Sequence, residues 1–116
     1  MKCLLVLNDP PYGTERSYNG LRLAMSLRRR GGLEVRVFLM ADAASCAKAA
    51  QKTPAGYYNL ERMLKGLTQA KVPVGVCGTC IDARGISEAE LLQGVHRSSM
   101  DELTDWTLWA DKVVVF

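Results

Sequence analysis

Apolar residues fall along this chain in two rhythms. Residues 2–8, 33–40, 72–77 and 112–116 are short runs rich in valine, leucine and other apolar residues, the pattern of strands. Between the first two runs, Tyr18, Leu21, Ala24, Met25 and Leu27 recur every three or four residues. That stripe predicts a helix from Glu15 to Arg30, with Thr14 available as its N-cap. Between the second and third runs lie an alanine-rich stretch over 43–52 and a second stripe of Leu60, Met63, Leu64 and Leu67, separated by the loop Thr53-Pro54-Ala55-Gly56. After the third run, Ser87-Glu88-Ala89-Glu90 and Ser99-Met100-Asp101-Glu102 both have the form of a capping box, in which hydroxyl and carboxylate satisfy opposite backbone amides. The first predicts a helix carrying Leu91, Leu92 and Val95 on one face, and the second a helix carrying Met100, Leu103, Trp106 and Ala110. Residues 95–98 between them read as a very short strand.

Strands that alternate with helices need crossover connections, which give a largely parallel sheet covered on both faces. The expected fold is a three-layer α/β/α domain with a mostly parallel sheet of four to five strands, of the flavodoxin-like topology class. With 116 residues the chain fits one domain spanning 1–116. In such sheets, reactive groups and ligands gather just beyond the carboxyl ends of the strands, which singles out residues 8–14 and 77–85.

Composition narrows the setting. An apolar content of 48% with 23% charged residues is ordinary for a globular protein, and no apolar run approaches the roughly 18 residues of a membrane span, so no membrane role is expected. The first apolar stretch is short and lacks a small-residue cleavage site, so it reads as a strand and not as a signal peptide. The net charge of +3 is mild; its one dense cluster, Arg28-Arg29-Arg30 before Gly31-Gly32, suits a solvated helix end. No aromatic platform or reading motif accompanies that cluster in the sequence, and direct nucleic-acid binding is not expected. Four unevenly placed cysteines argue for reduced thiols and a cytoplasmic protein.

Two segments can carry chemistry. The loop Asn8-Asp9-Pro10-Pro11-Tyr12-Gly13-Thr14 enters a helix, whose end amides can hold an anion, but its local pattern favours a rigid turn fixed by its prolines and Gly13. The second segment, Cys77-Gly78-Thr79-Cys80, places a thiol at the tip of a central strand, with Gly78 removing bulk beside it. A sulfur nucleophile reacts as its thiolate, a form that Arg84 or local backbone N–H groups would favour. The pair is open to three readings: persulfide exchange, a dithiol–disulfide couple, or half of a metal site. Zinc would need four ligands, and Cys3, Cys46 and His96 supply no second paired spacing, so no metal and no cofactor are expected. A thioredoxin-like arrangement would place the CxxC after an early strand, whereas this one follows the third. Cys3 and Cys46 read as buried structural thiols, His96 as a surface or hydrogen-bonded residue, and Trp106 and Trp109 as core or assembly surface.

These residues resemble a known family. A first strand followed by Pro11-Tyr12-Gly13-Thr14, then Val76-Cys77 with Arg84-Gly85-Ile86, and a terminal Asp111-Lys112-Val113-Val114-Val115-Phe116 are similar to the DsrE/DsrF/TusD-like proteins, the DsrE family of sulfur-relay proteins. The resemblance implies that the cysteine eight residues before the glycine of the Arg-Gly-apolar turn, here Cys77, carries persulfide sulfur, with Cys80 as an auxiliary. Tyr12, Gly13, Thr14, Gly78, Thr79 and Arg84 are the candidate pocket residues. The resemblance also implies donor and acceptor proteins as partners and a homo-oligomer, trimer or hexamer. Gly78-Thr79-Cys80 stands where the tRNA-thiolation members have small apolar residues, so the pathway is not read from the likeness. A non-catalytic oligomeric or regulatory module and a CxxC dithiol oxidoreductase are the alternative functions.

Overall fold

The apolar runs pair side by side in one sheet, in a computed structural model that describes residues 1–116. Strands β1 (Lys2–Leu7), β2 (Glu34–Leu39), β3 (Val74–Cys77), β4 (Val95–Ser98) and β5 (Lys112–Val115) are all parallel, in the order β4-β3-β2-β1-β5. The helices are α1 (Arg16–Arg28), α2 (Leu60–Gln69), α3 (Gly78–Ala83) and α4 (Met100–Trp109). The short strand at 95–98 is present and forms one edge of the sheet.

Handedness explains the layers. From β1 to β4 each step moves one strand in the same direction, so right-handed crossovers carry α1, α2 and α3 over one face; the step from β4 to β5 reverses, which sends α4 over the other. Side chains follow this division. Leu5, Val37, Leu39 and Val76 point toward Leu21, Leu64 and Ile81 in the larger core, whereas Leu4, Val6 and Phe38 meet Trp106 of α4 in the smaller one. Residues 3–7 are therefore buried without a break, as a parallel strand covered on both faces requires. The crevice at the reversal between β1 and β5 is bridged, because Asn8 donates its N–H and its side-chain amide to the carbonyl of Phe116 at 2.9 and 3.2 Å.

Three local expectations change. The alanine-rich stretch forms a 3-10 turn, Ala41–Ala47, and then runs extended, because Ala49 donates to the carbonyl of Glu90 and Leu92 to that of Ala47. The Ser87 capping box is complete but caps a single 3-10 turn, Glu88–Glu90, and no α-helix, since the chain must rejoin the sheet as β4 five residues later. In the second box only Ser99 caps, accepting from the Glu102 N–H; the Glu102 carboxylate turns inward to Ser98 and His96 instead. Helix α3 was not foreseen. It starts directly at the end of β3, with no intervening loop.

Candidate functional site

The site is made by that abrupt strand-to-helix change. Cys77 is both the last residue of β3 and the N-cap of α3, so its side chain stands where the sheet ends, half-buried, on the same side as α4. Its Sγ accepts the backbone N–H of Cys80 at 3.3 Å and lies 3.4 Å from the Thr79 hydroxyl. One turn of helix brings Cys80 back over Cys77, and the two are disulfide-bonded with their Cα atoms 5.2 Å apart. The Cys80 sulfur also accepts the N–H of Ala41 at 3.3 Å, which ties the pair to the end of β2. The CxxC thus opens a helix, as in a thioredoxin-like arrangement, but it follows the third strand.

Gly78 is buried beside a guanidinium. A Cβ there would stand 2.7 Å from Cζ and Nε of Arg97, which reaches across from β4 and forks onto Asp82 of α3 with two bonds of 2.8 Å. The hydrogen bond from Arg97 holds the Asp82 carboxyl below the usual aspartate range. Glu88 adds a looser contact to Arg97 at 3.8 Å. Arg97 thus fastens α3, with both thiols, to the edge strand.

A cleft of about 300 Å³ opens in front of Cys77, bounded by Phe38, Met40, Thr79, Ser98 and Met100, with Arg97 on its rim. Pairing of Cys77 with Ser98 in the β3–β4 register explains why Ser98 is there. Behind Ser98 the Glu102 carboxylate accepts its hydroxyl at 2.6 Å and is hydrogen-bonded to His96. Burial raises the Glu102 pKa, but the bonds from Ser98 and His96 outweigh it, and the carboxyl ends below the usual glutamate range.

The structure therefore brings together Cys77, Cys80, Gly78 and Thr79. Arg84 lies behind α3, where it donates to Asp42 at 2.6 and 3.2 Å and to the Cys80 carbonyl at 3.1 Å; its charge faces Asp42, and it does not line the cleft. Tyr12, Gly13 and Thr14 are also outside the cleft. The Tyr12 hydroxyl donates to Gln51 at 2.6 Å and accepts the N–H of Leu60 at 3.2 Å, Gly13 makes the turn at φ +97°, and Thr14 donates to Asp9 at 2.8 Å. Arg97, Asp82, Ser98 and Met40 are the site residues that sequence reasoning missed. The parallel register was the available signal, since a strand at 95–98 beside 74–77 sets Ser98 opposite Cys77 and Arg97 opposite Val76. Cys3 and Cys46 are buried free thiols, as expected, and burial pushes the Cys46 thiol up to about 12. His, Cys, Asp and Glu side chains nowhere gather in threes as a metal site would need.

The fold and site define a class: a small, fully parallel α/β domain whose third strand ends in a paired thiol over a small cleft. The chain belongs to the DsrE/DsrF-like family, which it matches over residues 1–116, so its fold is of the sulfur-relay type. It is 47% identical to protein YchN of Escherichia coli K12 over 116 residues, covering 99% of this chain and 98% of that one. A protein of Methanocaldococcus jannaschii is 34% identical over the full length of both. The crystal structure of the E. coli YchN protein superimposes with a TM-score of 0.94 at 46% identity, covering 100% of this chain and 99% of that chain. Protein MTH1491 of Methanobacterium thermoautotrophicum, with a TM-score of 0.80 at 13% identity over 99% of this chain and 98% of its own, shares the fold alone.

Proposed function

We propose that the protein is a sulfur carrier in which Cys77 accepts sulfane sulfur as a persulfide and passes it to a partner. The observation that carries this is the placement of Cys77 at a half-exposed strand tip, over a cleft, with Cys80 within bonding reach. In loading, the Cys77 thiolate attacks the outer sulfur of a donor persulfide; the donor S–S bond breaks, its thiolate leaves, and Cys77 holds the outer sulfur. An acceptor thiolate can take that sulfur by the same displacement. Alternatively the Cys80 thiolate attacks the Cys77 sulfur, forming the Cys77–Cys80 disulfide and expelling hydrosulfide, after which an external dithiol must reduce the disulfide.

The N–H of Cys80 on the Cys77 sulfur supports a thiolate there, because a hydrogen bond to the charged form favours it. The partners would be donor and acceptor proteins in a reducing compartment, the cytoplasm. A homo-oligomer, trimer or hexamer, fits the α4 side of the sheet. One helix covers that face, and Leu108, Val113 and Val115 are left exposed on it.

The disulfide also favours a second reading, a dithiol oxidoreductase. Discharge separates the two. Loaded with a persulfide donor and freed of excess, the carrier releases hydrosulfide and ends as the disulfide, while Cys80→Ser keeps its persulfide until an acceptor thiol is added. An oxidoreductase instead shuttles between dithiol and disulfide and retains no sulfur in either form.

A further inference from the structure

A groove of about 810 Å³ lies between α1 and the start of α2, on the side of the sheet opposite the Cys77 cleft. Arg22, Arg29 and Arg62 line it, all three are exposed, none takes part in an ion pair, and no carboxylate lines the groove. Unpaired guanidiniums around one concavity create a field suited to an anion with several oxygens. The positive end of the α2 dipole opens on the same groove.

The rest of the lining is apolar and aromatic. Leu23, Met25 and Met63 contribute the apolar part. Tyr58 stacks on Tyr18 at 4.2 Å, with Tyr12 at 6.0 Å from it, and Arg22 covers Tyr18 at 5.4 Å, so those rings are occupied by one another. Tyr57 is different: the residue is 69% exposed and its ring has no aromatic or cationic partner. The groove thus offers one free ring and an apolar wall beside three cations without a carboxylate partner, of which Arg22 is held by the Asn19 side chain at 3.0 Å, at a size typical of small-ligand sites.

We propose that this groove binds a nucleoside polyphosphate, its base against Tyr57 and Met63 and its phosphates on Arg22, Arg29 and Arg62. A single free ring suits one base, whereas a nucleic-acid strand needs successive free faces. An acidic peptide would match the arginines and leave the ring and the apolar wall without a counterpart.

Isothermal titration of the full chain with ADP, tripolyphosphate, an oligouridylate and polyglutamate tests this. ADP should bind at one site per chain, about tenfold more weakly in Arg62→Gln and in Arg29→Gln. Tyr57→Ala should weaken ADP several-fold and leave tripolyphosphate unchanged, and Cys77→Ser should bind ADP as the wild type does. The three groove residues are exposed, so unchanged unfolding midpoints will show that the variants are folded. Absence of saturable ADP binding, ADP affinity indifferent to Tyr57 and Arg62, tripolyphosphate binding as tight as ADP, or tighter binding of the oligouridylate or polyglutamate through the same arginines would each overturn the proposal.

Discussion

The guanidinium of Arg97 occupies the space that a side chain at Gly78 would need, 2.7 Å from the position of its Cβ. Because that guanidinium also forks onto Asp82, the glycine, the edge strand and the thiol-bearing helix are one mechanical unit. Gly78→Ala should push the guanidinium off Asp82. An ion pair in solvent contributes little and alanine is the better helix residue, so the urea midpoint should change little. The readable effect is on Asp82: by carboxyl NMR titration it should titrate below ordinary aspartates in the wild type and return to their range in Gly78→Ala and in Arg97→Gln. An unmoved Asp82 titration in both variants would show that Arg97 does not hold it.

Glu102 makes a prediction about acid. Its folded-state pKa lies below the ordinary 4.5, so its contribution to stability is present above that value and is lost as pH falls through the folded pKa. The wild-type urea midpoint should therefore fall more steeply below about pH 4.5 than that of Glu102→Gln, with Ser98→Ala intermediate. Parallel curves for the three proteins would remove Glu102 from the account of the cleft wall.

Tyr12 separates scaffold from site. Tyr12→Phe removes the bond to Gln51 and leaves the Leu60 N–H, at the start of α2, without its acceptor, at a cost of about 1–3 kcal/mol in urea unfolding. Persulfide loading should be unchanged in the folded protein, because Tyr12 lines no part of the Cys77 cleft. A loading defect in stable Tyr12→Phe would return the first loop to the site.

Much of this architecture was readable from periodicity, and the exceptions have physical causes. The first two strands and α1 carry long apolar patterns whose burial the sheet requires, and α2 shows its stripe in Leu60, Leu64 and Leu67. The helix expected after Ser87 failed because a complete capping box satisfies amides in a single 3-10 turn as well as in a helix, and the following residues were claimed by β4. The chemistry of Cys77 was left among three readings, whereas its place at the tip of β3 was legible from the valine-rich run before it. Arg97 was not, since a charged residue in the four-residue strand Val95-His96-Arg97-Ser98 gives no local sign that it spans to Asp82, and Arg84 looked the better cation until its partner proved to be Asp42.

Thiol reactivity should divide the four cysteines evenly. After reduction, Cys77 and Cys80 should react quickly with a chromogenic disulfide in the native protein, while Cys3 and Cys46 stay slow until denaturant is added, Cys46 being buried with its pKa near 12. Fast reaction of Cys46 at neutral pH would mean that the 3-10 turn opens readily. Proteolytic mapping of the labelled sites checks the assignment.

The most direct test of the account is the intact mass of the reduced protein after incubation with a persulfide donor and removal of the excess, measured for the wild type, Cys77→Ser and Cys80→Ser. The account predicts one added sulfur atom in Cys80→Ser, lodged on the peptide that contains Cys77, a shorter-lived addition in the wild type, and none in Cys77→Ser. Sulfur that still adds to Cys77→Ser, or that maps to another cysteine, would contradict it.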